Sequence, residues 1–434
     1  MRRRNVVILV AAAIIIVGAA LFFFLPAPLE AVAASPAQPT GEALVTRGKY
    51  LATAGDCVAC HSAPGHAALA GGLAFKLPFG TIYSSNITPD RETGIGDWSD
   101  AEFVRALHHG VGKGGKDLYP AFPYAAYTKM STDDALAIRA YLATLPPVRS
   151  SVQANALTFP FDQRYLMRGW KLLSMRQGRQ TARPDRSAEW NRGAYLVEAL
   201  GHCGECHTPR NLIFGLKGGD KFAGAVTQGW KAYNITSDAR SGIGGWSVDA
   251  LAAYLATGYA AGHGAASGSM AEAVDLSLRH LTPADLRRMA VYLKSVPAQG
   301  GSDIQIAVNP SELARSTAYA PPVDAAHAGN LGLKIFEGAC ASCHAWNGEG
   351  LQTNYAALRG ARTVNDPGAT NLIQVVLRGS RLTTPQGRLA MPAFGAAYSD
   401  AEIAAVSNYV LAHFGDKEGG VTPGRVADAR KAGG

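Results

Sequence analysis

The chain has 434 residues, a net charge of +8 and an ordinary apolar fraction of 47%, so its length predicts more than one packed domain. Its 41 Lys and Arg residues are spread along the sequence without a long basic arm, and we therefore expect no nucleic-acid partner. The sequence contains no nicotinamide or flavin fingerprint, no nucleophile elbow and no P-loop, which excludes the commonest catalytic signatures.

The amino terminus combines a basic flank with a long apolar run. Three arginines precede an uncharged segment from Val6 to Leu25, and twenty residues in a helix span about 30 Å, the thickness of the bilayer's hydrocarbon core. Arginines on this flank retain the amino terminus in the cytoplasm, so the rest of the chain is expected outside it. The small residues of "AVAASPAQ" at 31–38 also suit signal peptidase. An uncleaved anchor and a cleaved signal both remain open.

Residues 57–61 read CVACH, and the same Cys-x-x-Cys-His pattern returns at 203–207 and 340–344. The three copies contain all six cysteines, and the pairs are too far apart for a small disulfide framework or for one zinc site. Cys-x-x-Cys-His is the attachment signature of c-type haem, in which both thiols bind the porphyrin and the histidine ligates the iron. We therefore predict three covalent haems. The predicted attachment residues are Cys57, Cys60, Cys203, Cys206, Cys340 and Cys343, and the predicted proximal ligands are His61, His207 and His344.

The first two haem regions are near copies of each other. Residues 47–64 match residues 192–210 with one extra residue, and residues 86–107 match residues 234–255 without a gap. Such long-period similarity indicates duplication of a whole domain. The third region shares the haem motif and little else before its last helix.

Each region ends in a helix with a similar start. Ser131, Thr282 and Ser399 are each followed three positions later by an acidic residue, which is a capping-box pattern. The order of haem motif and capped helix is typical of a cytochrome c domain. The sequence therefore predicts an all-α fold with three tandem c-type cytochrome domains behind an N-terminal apolar helix.

The predicted boundaries follow from these repeats and from composition. Residues 149–183, between the first two domains, carry seven basic residues against one acid and interleave them with aromatic residues. It reads either as a connector that clamps the domains or as a docking strip for a partner subunit or the membrane surface. The predicted parts are an anchor or signal (1–40), domain one (41–148), a basic aromatic linker (149–186), domain two (187–298), a second linker (299–325), domain three (326–416) and a flexible tail (417–434).

An electron-carrying haem has both axial positions filled, and methionine opposite histidine raises its potential. Met130 is the only methionine between the haem motif and the end of domain one, and Met391 holds that place in domain three. Domain two offers Met270 and Met289.

Met289 aligns with Ile138 and Val406, which are apolar positions on the inward stripe of the last helix. It is therefore expected to pack in the core, and Met270 is the better candidate ligand. The remaining histidines considered, His66, His108, His109, His202, His263 and His280, are expected to have surface or core roles.

The three haem motifs, the paired "NIT" and "GIG" segments, "YPAFPY", "SAEWNRGAYLVE" and "MPAF" resemble the three-haem cytochrome c subunits of bacterial membrane-bound periplasmic dehydrogenases. The resemblance covers roughly residues 41–415. It implies a subunit that oxidises no substrate but passes electrons from a catalytic subunit to ubiquinone or another respiratory acceptor at the periplasmic face of the cytoplasmic membrane. It also supports Met130, Met270 and Met391 as distal ligands.

In this family the catalytic partner is molybdenum-, PQQ- or flavin-dependent. Phe122 stands where some alcohol dehydrogenase relatives carry methionine, which tilts the expectation toward a molybdenum-dependent aldehyde or heterocycle dehydrogenase. The long apolar amino terminus is a departure, since several relatives have a cleaved signal. Two alternatives stay open: a free multihaem shuttle to a terminal oxidase, and a haem enzyme with one open iron.

Overall fold

The structure, a computed structural model, describes residues 2–25, 29–300 and 330–432. Most of the predicted second linker (299–325) lies outside the described residues. The chain forms two compact units. The first comprises residues 1–182 with 198–202 and 210–216, and the second comprises residues 183–197, 203–209 and everything from 217 onward. The second unit thus contains most of predicted domain two and the described part of domain three.

The first unit is built from helices and one small sheet. Strands β1 to β3 form an antiparallel sheet in that order, with Ala74 opposite Tyr83 and Gly80 opposite Leu157. Its elements are α1 (Arg2–Phe24), α2 (Gly41–Ala54), α3 (Cys57–His61), β1 (Ala74–Leu77), β2 (Gly80–Tyr83), α4 (Asp100–His109), α5 (Tyr124–Tyr127), α6 (Thr132–Ala143), β3 (Ala156–Leu157) and α7 (Leu166–Ser174).

The second unit is also built mainly from helices with short strands. Its strands pair as three separate antiparallel hairpins, β4 with β5, β6 with β7 and β8 with β9. Its elements are α8 (Ala188–Tyr195), α9 (Gly204–His207), β4 (Ala225–Thr227), β5 (Trp230–Ala232), α10 (Val248–Thr257), β6 (Tyr259–Ala260), β7 (Gly264–Ala265), α11 (Gly268–Leu276), α12 (Pro283–Lys294), α13 (Leu331–Ala339), α14 (Ala341–His344), α15 (Arg362–Asn365), α16 (Thr370–Arg378), β8 (Ser380–Thr384), β9 (Gly387–Met391), α17 (Asp400–Gly415) and α18 (Pro423–Ala432).

The all-α expectation describes the helices correctly but misses these hairpins. The strands are two to five residues long, so they are too short to produce a clear alternation of apolar and polar residues. Glycines with positive φ stand at several of their turns, such as Gly80 at 130° and Gly387 at 124°. Side chains disfavour that backbone conformation.

The predicted helix starts are confirmed in all three regions. The hydroxyls of Ser131, Thr282 and Ser399 accept hydrogen bonds from the backbone N–H groups three residues later, at 3.1, 3.2 and 3.3 Å. In the first two regions the acid at that third position also pairs with an arginine of the opposing helix. Arg47 contacts Asp134 at 2.6 Å, and Arg192 contacts Asp285 at 2.8 Å.

One glycine lies at each crossing of a region's first and last helices. A Cβ atom on Gly48 would stand 1.9 Å from the carbonyl oxygen of Ala137, and one on Gly193 would stand 1.9 Å from that of Arg288. In the third region the corresponding distance from Gly332 to the Ala405 carbonyl oxygen is 2.3 Å. Only glycine permits this close approach of two helix backbones.

The tail predicted to be flexible (417–434) instead contains helix α18, so that expectation is wrong. Thr422 accepts a hydrogen bond from the backbone N–H of Arg425, and Pro423 occupies the first turn, as proline often does. Val421 and Val426 are buried in the core of the third region at 4% and 0% exposure. Arg430 ties the helix end to Asp400 at 2.8 Å. The buried valines supply the packing that composition alone did not indicate.

The basic linker (149–186) is packed into the first unit. Strand β3 extends the sheet, and α7 places Lys171 inward, where its Nζ contacts Asp117 at 2.9 Å and the Gly110 carbonyl oxygen at 2.7 Å. This arrangement fits the connector interpretation for the inward face of α7.

Candidate functional site

Each Cys-x-x-Cys-His motif lies on a short helical turn just after the first helix of its region. The turns are α3, α9 and α14. Residues three apart on a helix point to the same side, so each cysteine pair faces one space together. None of the six cysteines is paired in a disulfide. No group of three or more His, Cys, Asp or Glu residues suited to a metal ion occurs among the described residues.

The three motif histidines make the same hydrogen bond. Nδ1 of His61, His207 and His344 lies 2.6 Å from the backbone carbonyl oxygens of Ser85, Tyr233 and Ala356, respectively. A carbonyl only accepts, so Nδ1 must carry the proton. The lone pair on Nε2 is then free for a metal, as in histidine-ligated iron sites generally.

Burial favours the neutral imidazole at all three sites. Desolvation lowers the pKa of His61, His207 and His344 below the usual value, and for His207 the nearby Arg362 guanidinium lowers it further. A neutral ring with a fixed tautomer is the form that ligates iron. The two thiols and the oriented imidazole of each motif therefore fit a covalently attached haem c.

The repeated "NIT" segments hold the carbonyls that orient two of these histidines. Ser85 and Tyr233 immediately precede Asn86 and Asn234, which are 3% and 4% exposed. Each asparagine Oδ1 accepts from the threonine two residues later, at 2.9 and 2.8 Å from its backbone N–H. The similarity of the two segments is plain in the sequence, but their contribution to histidine orientation is not.

The side-chain amides of the same asparagines reach the opposite side of the loop. Asn86 Nδ2 donates to Thr93 Oγ1 at 3.0 Å and to a backbone carbonyl at residue 148 at 2.8 Å. Asn234 Nδ2 donates to Ser241 Oγ at 2.8 Å and to the Gln299 carbonyl at 2.7 Å. Both loops are therefore braced on two sides. The sequence of the third region has no such segment, and the 3-10 turn Asn354–Ala356 presents the carbonyl of Ala356 instead.

The "GIG" segments close these loops. A Cβ atom on Gly94 or Gly242 would stand 2.2 or 2.3 Å from the backbone carbonyl oxygen of Thr88 or Thr236. The glycines thus allow the chain to turn back onto the threonine of its own "NIT" segment. The isoleucine between each glycine pair is buried.

Residues of the third region contact the second site within the same unit. The Arg362 guanidinium lies 4.9 Å from the centre of the Tyr233 ring, and it donates to the backbone carbonyls of Ser241 and Asn234. Lys231 pairs with the buried Asp366 at 3.3 Å. Positive charge is therefore held beside the second histidine. Sequence reasoning missed Arg362, because nothing in its local sequence distinguishes it from other arginines.

The four candidate methionines occupy different environments. Met130 directly precedes the N-cap Ser131 and is 1% exposed, while Met289, inside α12, is also 1% exposed. Met270 in α11 and Met391 at the end of β9 are half-buried. The inward residues of α12 include Leu286, Met289 and Leu293, which fits packing by Met289. Burial alone does not distinguish Met130 from Met289.

Most of the other histidines considered have structural contacts with neighbouring residues. His263 stacks on Trp246 with ring centres 3.8 Å apart, His202 meets Tyr127 edge-on, and His280 contacts the Asp275 carbonyl at 3.0 Å. His108 is fully buried beside the Met130 backbone, and desolvation lowers its pKa to about 3. It is therefore neutral at physiological pH.

Helical regions that each close around a Cys-x-x-Cys-His turn with an Nδ1-bound histidine define a c-type cytochrome. The family model described as cytochrome c oxidase, cbb3-type, subunit III matches residues 327–410. The fructose dehydrogenase cytochrome subunit of Gluconobacter japonicus is 38% identical over 93% of this chain and 86% of the relative. The gluconate 2-dehydrogenase cytochrome c subunit of Pantoea cypripedii is 38% identical over 90% of each chain.

A nicotinate dehydrogenase subunit of Pseudomonas putida is 41% identical over 86% of this chain. The chain spans only 30% of that relative's length. The resemblance seen in the sequence is confirmed: this chain belongs to the family of cytochrome c subunits of dehydrogenases. Such subunits transfer electrons and are not the catalytic subunits.

Proposed function

We propose that this chain carries three haems c and passes electrons from a catalytic dehydrogenase subunit to ubiquinone at the periplasmic face of the cytoplasmic membrane. The observation that carries the proposal is the repeated histidine geometry, with one Nδ1-to-carbonyl distance of 2.6 Å in each of three motifs. Bound haem c supplies a one-electron carrier at each site.

The chain's own residues hold and tune these carriers. The two cysteines of each motif would attach the porphyrin covalently, and His61, His207 and His344 would each supply a nitrogen ligand to the iron. Met130, Met270 and Met391 would supply the sulfur ligand, which would close the iron to oxygen and peroxide. The Arg362 guanidinium and the Lys231–Asp366 pair support a close and fixed association of the second and third domains.

Helix α1 is proposed to anchor the chain. Its apolar span Arg3–Phe24 has 22 residues and contains an 18-residue window of mean hydropathy 3.1 that is wholly exposed. A helix of this length can cross a bilayer. Its end is held by the first unit, because Arg168 Nη1 donates to the carbonyl oxygens of Phe22 and Leu25. These contacts favour an uncleaved anchor over a cleaved signal.

The catalytic partner is proposed to be a molybdenum-dependent dehydrogenase of heterocycles or aldehydes. The relative from the nicotinate dehydrogenase of Pseudomonas putida, at 41% identity over 86% of this chain, favours a heterocyclic substrate. Co-purification with a PQQ- or flavin-containing subunit instead would contradict this assignment and leave the electron-transfer role intact.

Membranes from a strain that lacks this chain test the role. They are expected to retain dye-linked dehydrogenase activity and to lose substrate-dependent ubiquinone reduction, because electrons leave the catalytic subunit but find no carrier. Complementation with Met289→Leu should restore quinone reduction, whereas Cys203→Ala with Cys206→Ala should not. Unchanged quinone reduction and respiration on nicotinate, aldehydes, alcohols and sugars would refute the proposal.

A carbon monoxide titration tests the alternative of a haem enzyme. With all irons six-coordinate, the reduced spectrum should not respond to carbon monoxide. A response from one haem would favour an open iron and a catalytic role.

A further inference from the structure

We propose that this chain has a second membrane contact, an apolar surface on α7 and the neighbouring loop that lies on the lipid headgroup region beside the end of α1. We call it the α7 patch and define it by Phe159, Leu172, Leu173, Leu212 and Ile213. The inference goes beyond electron transfer, and it rests on the proposed crossing of the membrane by α1.

The members of the α7 patch are large apolar side chains left in solvent. Leu212 is 100% exposed, Phe159 and Leu173 are 79% exposed, and Leu172 is 71% exposed. Single exposed apolar side chains are ordinary, but a contiguous group of them marks an interaction surface.

Specific contacts make the group contiguous. Trp170 Nε1 donates to the Ile213 carbonyl oxygen at 2.7 Å, which fixes the 210–216 loop against α7. Beneath it, Phe79 stacks on Phe161 at 4.2 Å and meets Phe214 at 5.1 Å. This aromatic base holds the Phe159 end and the Leu212 end in one surface.

The α7 patch is next to the carboxyl end of α1. The Tyr165 ring lies 5.1 Å from the Phe24 ring and 6.3 Å from the Phe23 ring. A Cβ atom built on Gly169 would be in ordinary contact with Phe23, at 3.5 Å. A helix of this length leaves the hydrocarbon core near its end, so α7 is held at the level of the headgroups.

The chemistry of α7 suits that level. The charged side chains on its inward face are paired, since Lys171 and Arg168 each contact the buried carboxylate of Asp117 at 2.9 Å. Leu172 and Leu173 remain outside, and Trp170 and Tyr165 are the residue types enriched at the bilayer interface. A short helix with an apolar outer face and basic neighbours, such as the exposed Arg176, binds the surface of anionic membranes.

Continuity with α1 favours lipid over a protein partner as the occupant. Any bilayer that contains α1 brings lipid to α7, because α7 contacts the last residues of that helix. A dehydrogenase subunit or a second copy of the chain would have to displace this lipid. The spin-label experiment described next distinguishes a covering dehydrogenase subunit or second copy of the chain from lipid.

Site-directed spin labels on the full-length, haem-loaded chain test the inference. All six native cysteines are expected in thioether bonds, so an added cysteine is the single labelling site, and the parent chain should take up no label. Variants Leu172→Cys and Leu212→Cys are placed in phosphatidylcholine–phosphatidylglycerol liposomes. Ile14→Cys, midway along α1, is the bilayer reference. Val226→Cys, at a position 64% exposed, is the water reference.

Collisions with oxygen and with a water-soluble nickel chelate distinguish the outcomes. Labels at 172 and 212 should lie between the two references, with less nickel access than Val226→Cys and less oxygen access than Ile14→Cys. Nickel access equal to that of Val226→Cys would overturn the inference, and so would protection from both reagents, which indicates a covering protein. If Ile14→Cys is in the bilayer while 172 and 212 are not, the α7 patch fails and the anchor stands. If the label on Ile14→Cys is itself exposed to water, both the proposed anchor α1 and the proposed membrane contact of the α7 patch are wrong.

Discussion

A single backbone carbonyl decides which imidazole nitrogen is free at each motif. In the first two regions that carbonyl is positioned by a buried asparagine, Asn86 or Asn234, whose side chain makes several hydrogen bonds. Buried hydrogen bonds contribute roughly 1 kcal/mol each. The asparagines act through the histidine and are positioning residues, since neither belongs to a haem motif.

Asn234→Ala is expected to raise the reduction potential of one haem. Release of the Tyr233 carbonyl weakens its hydrogen bond with His207 Nδ1, which makes the imidazole a weaker donor to ferric iron. Spectroelectrochemical titration should show one potential moved upward and the other two unchanged.

Asn86→Ala is the matched variant, because it makes the same contacts in the duplicated region. It should shift a different haem. A uniform loss of stability with all potentials unchanged would show that the asparagines only hold the loops together.

The distal ligands are tested through the near-infrared sulfur-to-iron band. Met130→Ala, Met270→Ala and Met391→Ala should each remove one site's share of this band, because each deletes one thioether. Met289→Leu is the control and should leave the band intact, since leucine conserves the volume of a packing methionine. Loss of the band in Met289→Leu and its retention in Met270→Ala would reverse the assignment in the second domain.

At the residue scale, the sequence predicts those site residues that lie close together in the chain. Two thiols and a histidine adjacent in the chain are recognisable wherever they occur. The partners of the histidines are 24, 26 and 12 residues away, and a backbone carbonyl has no residue type to identify it. Arg362 reaches its site from another domain, so local patterns do not reveal it either.

Paired helices with a glycine at their crossing recur in all three regions. The crossing brings the Gly48, Gly193 and Gly332 backbones against a carbonyl of the last helix. Tyr141 and Tyr292 occupy matching positions in the last helices of the first two regions, three residues after Ile138 and Met289. They border the crossing, with their Cβ atoms 2.9 and 3.0 Å from the position of the added Cβ. The shared tyrosine thus coincides with a packing constraint.

Gly193→Ala is expected to destabilise the second unit. The added Cβ would lie 1.9 Å from the Arg288 carbonyl oxygen, so the helices must separate, and overpacking of this kind costs about 1–3 kcal/mol. Urea unfolding of the haem-loaded chain measures the change in free energy.

Gly219→Ala is its control in the same unit. Nothing lies within 4 Å of its added Cβ, so the change should stay within about 0.5 kcal/mol. Equal stability of the two variants would show that the crossing does not require glycine.

The tail shows where composition misleads at the element scale. Its glycines and scattered charges suggest disorder, yet Thr422 and Pro423 repeat the helix start of Thr282 and Pro283. Val426 in α18 and Val421 just before the helix are buried in the core of the third region. The sequence does not reveal the short hairpins, because their strands are two to five residues long and bury too few side chains for an alternation of apolar and polar residues to appear.

At the scale of the molecule, duplication is visible in the sequence while the grouping of domains is not. Most of predicted domain two and the described part of predicted domain three lie in one unit. There Thr383 Oγ1 donates to Asp275 at 3.0 Å and Arg279 donates to the Thr383 carbonyl at 3.1 Å. These contacts join residues more than a hundred positions apart. Long-range polar pairs of this kind have no signature in a single sequence.

The proposed electron-transfer role requires that one chain carry three covalent haems on three equivalent motifs. Intact-protein mass spectrometry with a pyridine haemochrome assay measures their number directly. We expect three haems per chain, and two per chain after Cys203→Ala with Cys206→Ala. Two or fewer haems on the unaltered chain would contradict it.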